Sequence, residues 1–322
     1  MALTLSVNPM KLVILDGHAV NPGDLSWDLF SEYAEITVYE KTPQDLVAER
    51  IGDAEAVFLN KIVINREILE KCPNLRYIGV LATGYNVIDL GATRERGITV
   101  TNIPAYSTNS VAQHTFAFIL HFTNLVSSHN ASVQNGDWVK CPHFCYWNAP
   151  LTELEGKTLG ILGYGNIGKQ VERIAEAFGM KCNVLLHHPN PSVKNACTPE
   201  VFFRDSDFIT LHAPLTDETK EFINKESISK MKDGVIIINT ARGPLVNEKD
   251  VREALESGKL KGYAADVVCA EPMLKDNPLL GAPNCIITPH IAWAPLETRK
   301  RLMQIALDNL KGYLNGKPVN TV

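Results

Sequence analysis

Residues 157–180, KTLGILGYGNIGKQVERIAEAFGM, constrain this chain more than any other stretch. They predict a strand, a glycine turn and a helix in immediate succession. Residues 158–162 are a short, mostly apolar run, as expected of a strand buried on both faces. Gly163-Tyr164-Gly165-Asn166-Ile167-Gly168 follows at once. Ile167, Val171, Ile174, Ala175 and Phe178 then recur at helical spacing, and Gly179 ends the helix. Gly163 is expected to make the tight turn, Gly165 to let a pyrophosphate approach the backbone, and Gly168 to let helix and strand pack closely. The helix N-terminus adds free N–H groups and a positive dipole end. Alone, such a glycine pattern marks any strand-to-helix turn. Framed by strand and helix, it predicts a dinucleotide site.

A chain of 322 residues is longer than one core usually serves, so two domains are expected. Residues 11–101 alternate strand and helix, with strands at 11–15, 36–39, 56–59, 77–81 and 98–101. Leu25, Leu29, Phe30 and Tyr33 mark one helix face; Thr42 with Pro43 starts another helix, 65–71 is a third, and Asn86 caps a fourth. This half has no GxGxxG and is not expected to hold the dinucleotide. Residues 106–129 predict one long helix, apolar almost all round (Val111, Phe116, Phe118, Ile119, Leu120, Phe122) and therefore buried. Residues 130–150 predict an irregular aromatic arm. The second α/β half has strands at 158–162, 183–186, 208–211, 235–238, 264–267 and 285–288. A final helix over 296–314 carries Leu302, Ile305, Ala306 and Leu310 on one face. The fold class is α/β, with two doubly wound parallel sheets.

Three predicted strands of the second half end in chemistry-bearing residues, and ligands of open parallel sheets bind at such ends. The stretch 235–243 ends in Arg242, 264–272 in Asp266 and Glu271, and 286–293 in His290. A guanidinium can grip a carboxylate and polarise the adjacent carbonyl. An imidazole ordinarily titrates near neutrality and suits proton transfer, and a carboxylate on its other nitrogen favours the charged form. Singly, Arg242 is equally a surface ion pair, Glu271 a turn residue before Pro272, and His290 a core histidine. Jointly, beside a nicotinamide, they predict carbonyl reduction.

Five motifs in order resemble the D-isomer-specific 2-hydroxyacid dehydrogenases: Tyr-Gly-Asn-Ile-Gly at 164–168, Leu-His-Ala-Pro-Leu-Thr at 211–216, Asn-Thr-Ala-Arg-Gly at 239–243, Asp-Val-x-x-x-Glu-Pro at 266–272, and Pro-His-Ile-Ala-Trp at 289–293. The resemblance covers essentially the whole chain. It implies that Arg242 binds the substrate, His290 is the acid/base and Glu271 tunes it. It places Gly163, Tyr164, Gly165, Asn166, Ile167, Gly168, His188, His212, Pro214, Thr240, Ala241, Asp266 and Thr108 at the cofactor, with Asp266 on the nicotinamide carboxamide. The loop Leu81-Ala82-Thr83-Gly84-Tyr85-Asn86 resembles the substrate-carboxylate loop, with donors near Thr83 and Gly84. It further implies a flavodoxin-like substrate domain (1–104 and 293–322), an inserted Rossmann domain (105–292) and a homodimer. Phe144-Cys145-Tyr146-Trp147 and 289–293 resemble the glycerate dehydrogenase (hydroxypyruvate reductase) branch, whose substrates would be hydroxypyruvate and glyoxylate. The alternatives are a broad, D-lactate-type 2-ketoacid reductase and an NADH-sensing scaffold like the C-terminal-binding corepressors.

The sequence departs from the dinucleotide pattern at one place. An acid about 20 residues past the glycines ordinarily binds the adenosine ribose. Residues 181–199 contain none; His187 and His188 stand there, with Lys194 downstream. NAD and NADP are therefore both expected, with relaxed choice or a lean towards NADP; neutral ribose binding by Asn190 or Ser192 is the alternative. Gln113 stands where the family often has glutamate. Cys141, His143 and Cys145 lack the second ligand pair of a structural zinc site, and no metal is expected.

Lys and Arg total 31 against 36 Asp and Glu, a net charge of −5 that argues against nucleic-acid or anionic-membrane binding. No apolar run reaches membrane-spanning length. The N-terminus lacks the basic region of a signal peptide, and residues 1–9 read as an extension before Met10. Seven scattered cysteines suit a reducing, cytoplasmic compartment.

Overall fold

The computed structural model describes residues 9–188 and 190–322; residues 1–8 of the expected N-terminal extension lie outside them. Two compact units divide the chain. One runs to Tyr106 and resumes over Ala294–Val322; the other is Ser107–Trp293.

The first unit holds five parallel strands: β1 (Met10–Ile14), β2 (Ala34–Val38), β3 (Ala56–Leu59), β4 (Tyr77–Val80) and β5 (Thr99–Thr101). Their order is β2-β1-β3-β4-β5, the flavodoxin-like arrangement. Every residue of β3 and β4 is buried, which explains their unbroken apolar composition. The helix Leu296–Leu314 returns to this unit. It buries Leu302, Ala306 and Leu310 and sets Tyr313 4.7 Å, ring to ring, from Tyr77. Asn309, fully buried, donates to the Asn102 carbonyl at 2.9 Å and accepts from Asn320 at 2.7 Å. The chain end then adds an antiparallel bridge, Thr321 to Thr101, that covers the β5 edge.

The second unit holds six parallel strands: β6 (Thr158–Leu162), β7 (Lys181–Leu185), β8 (Phe208–Leu211), β9 (Val235–Asn239), β10 (Leu260–Ala265) and β11 (Cys285–Ile287). The order is β11-β10-β9-β8-β6-β7. Outside β7, Val184 makes one further parallel bridge to Ala196, with hydrogen bonds of 2.7 and 2.9 Å. Counted as a strand reduced to one rung, it restores the Rossmann order 3-2-1-4-5-6, with β11 as a seventh. Alternate side chains serve two cores. Leu159, Ile161, Ile236 and Ile238 pack with Phe116, Ile119 and Val171 on one face; Leu162, Val235 and Ile237 pack with Phe202, Leu245 and Leu255 on the other. Each such side chain contributes roughly 1.5–3 kcal/mol on burial.

Several sequence expectations are corrected. No α-helix forms around Leu25–Tyr33. The Asn21 side chain accepts the amides of Gly23 and Leu25, and only a 3₁₀ turn, Asp28–Phe30, follows. Thr42 caps nothing: its hydroxyl donates to Leu15 O at 2.5 Å, and the helix proper is Val47–Ile51. The helix Leu90–Glu95 is capped by Asp89, whose carboxylate accepts from Ala92, and not by Asn86. The expected helix over 106–129 breaks at Leu125, which is left-handed, into Thr108–Asn124 and Val126–Gln134. Its first part is not apolar all round, since Gln113, Ala117, His121 and Asn124 form an exposed stripe at helical spacing. The arm is irregular only in part, with a short helix at Asp137–Lys140. β10 begins earlier than expected and ends at Ala265, so Asp266 lies just past the strand.

Candidate active site

The glycine turn follows β6 directly. Gly163 has φ +87, and a Cβ there would stand 2.7 Å from the Ala213 backbone. A Cβ on Gly168 would meet Gly163 O at 2.3 Å, so helix Asn166–Ala177 can approach the strand only through a glycine. At Gly165 a Cβ would meet nothing within 4 Å. The backbone there opens onto free space at the N-terminus of a twelve-residue helix, which suits a pyrophosphate. Tyr164 is turned aside, its hydroxyl donating to Glu172, which also accepts from Asn195. The half-buried Ile167 packs against the core beneath the turn.

His212 follows β8, beside that turn. Part of the residue is exposed, but both ring nitrogens are buried without a partner in the protein. Burial pulls its pKa down to about 3, so the ring is neutral. A buried imidazole with both nitrogens vacant fits a polar ligand lying on the turn. Pro214 is exposed two residues on, its carbonyl held by the Thr219 hydroxyl at 2.7 Å.

Past β7, a cavity of about 430 Å³ is lined by Tyr164, Lys169, Leu186, His187, His188, Asn190, Ser192 and Val193. No carboxylate lines it. Glu218 lies outside, 3.0 Å from His187 Nδ1, and both side chains are exposed.

Arg242 stands at the end of β9 on a turn braced by Asn239. The Asn239 side chain donates to Arg242 O at 2.8 Å and accepts Ala241 N at 3.0 Å. The guanidinium is exposed and rests one nitrogen on Ala241 O at 2.7 Å. Thr240 is buried, its hydroxyl 3.2 Å from that of Thr115, which donates to Val111 O. The following Gly243 is a contact point between loops. A Cβ there would stand 2.0 Å from the carbonyl carbon of Val268. The Arg242 turn is thereby pressed against the loop that carries Glu271.

Glu271 and His290 are paired: Oε2 lies 2.7 Å from Nδ1, and each side chain is about a third exposed. The other Glu271 oxygen accepts Val268 N at 3.2 Å. His290 sits at φ +56, a conformation that costs an ordinary residue roughly 1–2 kcal/mol. β9, β10 and β11 are adjacent, so Arg242 and His290 leave strands only ~10 Å apart. Asp266 is 2% exposed and already occupied. Its oxygens accept from the Thr288 hydroxyl at 2.5 Å and from Ile291 N and Ala292 N at 2.8 Å each.

In the first unit, Thr83 and Gly84 lie just past β4. The Thr83 hydroxyl donates to Ile103 O and its carbonyl accepts from Asn102, both at 2.8 Å. Thr108 begins the helix Thr108–Asn124, in the second unit. Among the described residues, no group of three His, Cys, Asp or Glu side chains is placed to hold a metal ion. The sequence assigned no role to Asn239 and Gly243, although both lie in the motif 239–243, nor to His114. The signal for His114 was a histidine among the apolar positions of the predicted helix.

An open glycine turn at the switch of a 3-2-1-4 parallel sheet, with a carboxylate–imidazole pair at the strand ends, defines a dinucleotide-dependent enzyme class. The domain family described as D-isomer specific 2-hydroxyacid dehydrogenase, NAD binding domain, matches residues 116–292. The chain belongs to this family and is an NAD(P)-dependent dehydrogenase of D-2-hydroxy acids. It is 50% identical to the hydroxypyruvate reductase of Blautia hydrogenotrophica over 97% of this chain and 99% of that one. It is 39% identical to the glycerate dehydrogenase of Methylorubrum extorquens, covering 97% and 98%. An acyclic imino acid reductase solved with NADPH and D-Arg superposes with a TM-score of 0.84 at 29% identity, covering 97% and 100%.

Proposed function

We propose that the enzyme reduces hydroxypyruvate, and more slowly glyoxylate, to the corresponding 2-hydroxy acid. The hydroxypyruvate reductase that matches half of all positions over nearly its whole length carries this assignment. The Glu271–His290 pair is the chemistry that supports it.

When bound, the nicotinamide supplies a hydride to C2 of the keto acid. Arg242 grips the carboxylate and steadies charge on the C2 oxygen with its planar fork. His290, through Nε2, gives that oxygen a proton. Glu271, on Nδ1, fixes the ring and stabilises the imidazolium before the proton leaves. The Thr83–Gly84 turn supplies backbone donors to the carboxylate. The Gly163–Gly168 turn, His212 and Thr240 hold the dinucleotide, so the second unit is the cofactor domain and the first the substrate domain.

Two cofactors fit the adenosine end. Lys169, His187 and His188 supply donors there, and no acid lines the cavity. NADH and NADPH therefore both serve.

The working form is a homodimer in the cytoplasm. Trp138, Phe144 and Trp147 are 50%, 90% and 65% exposed on one arm, more aromatic surface than a monomer usually leaves in water. All seven cysteines are free. Light scattering on the purified chain tests the dimer, and a monomer at micromolar concentration refutes it. A steady-state panel of hydroxypyruvate, glyoxylate and pyruvate with both reduced nicotinamides tests the substrate. Pyruvate leading in kcat/KM would replace the proposal with a D-lactate-type reductase. No turnover at all, with NADH still bound, would point to a sensing scaffold.

A further inference from the structure

The turn that carries His290 is held by a relay that runs back to the helix Thr108–Asn124. His114 Nε2 lies 3.0 Å from the Thr288 hydroxyl, and that hydroxyl lies 2.5 Å from Asp266 Oδ1. His114 Nε2 is itself 3.7 Å from the same carboxylate oxygen. The direction of each bond follows from proton counting. An ionised carboxylate only accepts, so the single hydroxyl proton of Thr288 points at Asp266. Its lone pair then faces His114, which must carry its proton on Nε2. Burial holds the His114 pKa below the usual imidazole range, with Asp266 opposing, so the ring is the neutral Nε2–H tautomer. Its ring is seated edge-on against Phe118 at 4.5 Å.

This relay grips both sides of His290. Thr288 O accepts the His290 amide at 2.9 Å, and Asp266 accepts the next two amides, of Ile291 and Ala292. The left-handed backbone of His290 persists because these bonds over-determine it.

We propose that His114 and Thr288 are positioning residues, which fix Asp266 and through it hold the His290 ring on Glu271. They touch neither substrate nor cofactor. Their contribution is to the aim of the imidazole, where a displacement of about 1 Å can lower turnover about a hundredfold.

The inference rests on the role given to His290 under the proposed function, and the experiment separates the two. Thr288→Val, Thr288→Ser, His114→Phe and His114→Gln are compared with wild type in hydroxypyruvate reduction. Thr288→Val is expected to lower kcat ten- to a hundredfold with KM for both substrates within threefold, and Thr288→Ser to restore kcat to within threefold. His114→Phe should lower kcat several-fold, and His114→Gln, which keeps a donor, should recover most of it. Without any ligand, deuterium exchange over residues 286–293 should quicken at least tenfold in Thr288→Val and not in Thr288→Ser. Parity of Thr288→Val with wild type in kcat and exchange overturns the proposal, as does a Ser variant as impaired as Val. Should Thr288→Val fail to fold, His114→Phe at wild-type kcat overturns it alone. A wild type that binds NADH but reduces no keto acid ends the functional proposal instead, and the exchange measurement still decides this one.

Discussion

Nδ1 of His290 lies 2.7 Å from Oε2 of Glu271, and the second oxygen of that carboxylate is tied to the Val268 amide. The carboxylate is thus fixed by backbone on one side and presents one oxygen to the ring on the other. A pair held this way acts on proton transfer and leaves cofactor affinity alone.

Replacing His290 with Ala is therefore expected to lower kcat more than a hundredfold while the NADH dissociation constant stays within threefold. Glu271→Gln should cost tenfold or more in kcat, since the amide no longer stabilises the imidazolium. Steady-state kinetics with fluorescence titration of NADH checks both. Turnover within threefold of wild type for His290→Ala, below 1 kcal/mol, would remove the residue from the reaction.

The glycine turn separates a packing role from a binding role. Gly168→Ala places a methyl 2.3 Å from Gly163 O and should destabilise the second unit by about 1–3 kcal/mol. Gly165→Ala has room in the free protein and should leave the melting temperature unchanged, yet weaken NADH binding tenfold or more. Calorimetry with and without NADH distinguishes them. Equal effects of the two variants on both quantities would contradict the turn's assignment.

Gly243→Ala should be worse than either. Its methyl would overlap the Val268 backbone at 2.0 Å, so one loop must move. Loss of stability and of kcat together is expected, because Arg242 and Glu271 sit on the two loops that separate. A variant as active and as stable as wild type would show that the contact between them is dispensable.

His212 gives the protein a defined acid weakness. Its folded pKa, about 3, lies below the ordinary imidazole value, so below that value the unfolded chain binds a proton that the native one refuses. Stability is intact above the unfolded pKa and falls as pH drops. Between pH 7 and 5 the loss from this residue is at most about 2 kcal/mol. Urea midpoints for wild type and His212→Asn over that range should converge at the acid end. Parallel curves would mean the ring is solvated.

Cofactor choice should respond to charge past β7. His188→Asp is expected to raise the NADH over NADPH ratio of kcat/KM at least tenfold. A wild-type ratio above about a thousand would already contradict relaxed choice, as each tenfold is ~1.4 kcal/mol.

Much of this was legible in the sequence where local pattern and tertiary burial agree. The strands Thr158–Leu162, Phe208–Leu211 and Ala56–Leu59 and the helix Leu296–Leu314 follow from runs of apolar residues bounded by turn formers. The three strand ends that carry Arg242, Glu271 and His290 followed from the same patterns. Other features were illegible because a distant partner decides them. Thr42 looks like a cap, but the Leu15 carbonyl, 27 residues away, claims its hydroxyl. Leu25–Tyr33 has helical spacing, but Asn21 takes the amides at its start and turns the chain. Asp266 looked open to a ligand, yet three donors from Thr288–Ala292 already surround it. His114 lies 174 residues from Thr288, and no window of local periodicity spans that separation.

The third strand of the dinucleotide fold survives here as the lone rung between Val184 and Ala196. The wall facing the adenosine is therefore made of loop, with no ladder of paired neighbours to disturb. Substitutions there would leave the sheet's register alone, so a variant of this chain that changes its choice of reduced cofactor is expected to keep the melting temperature of the parent.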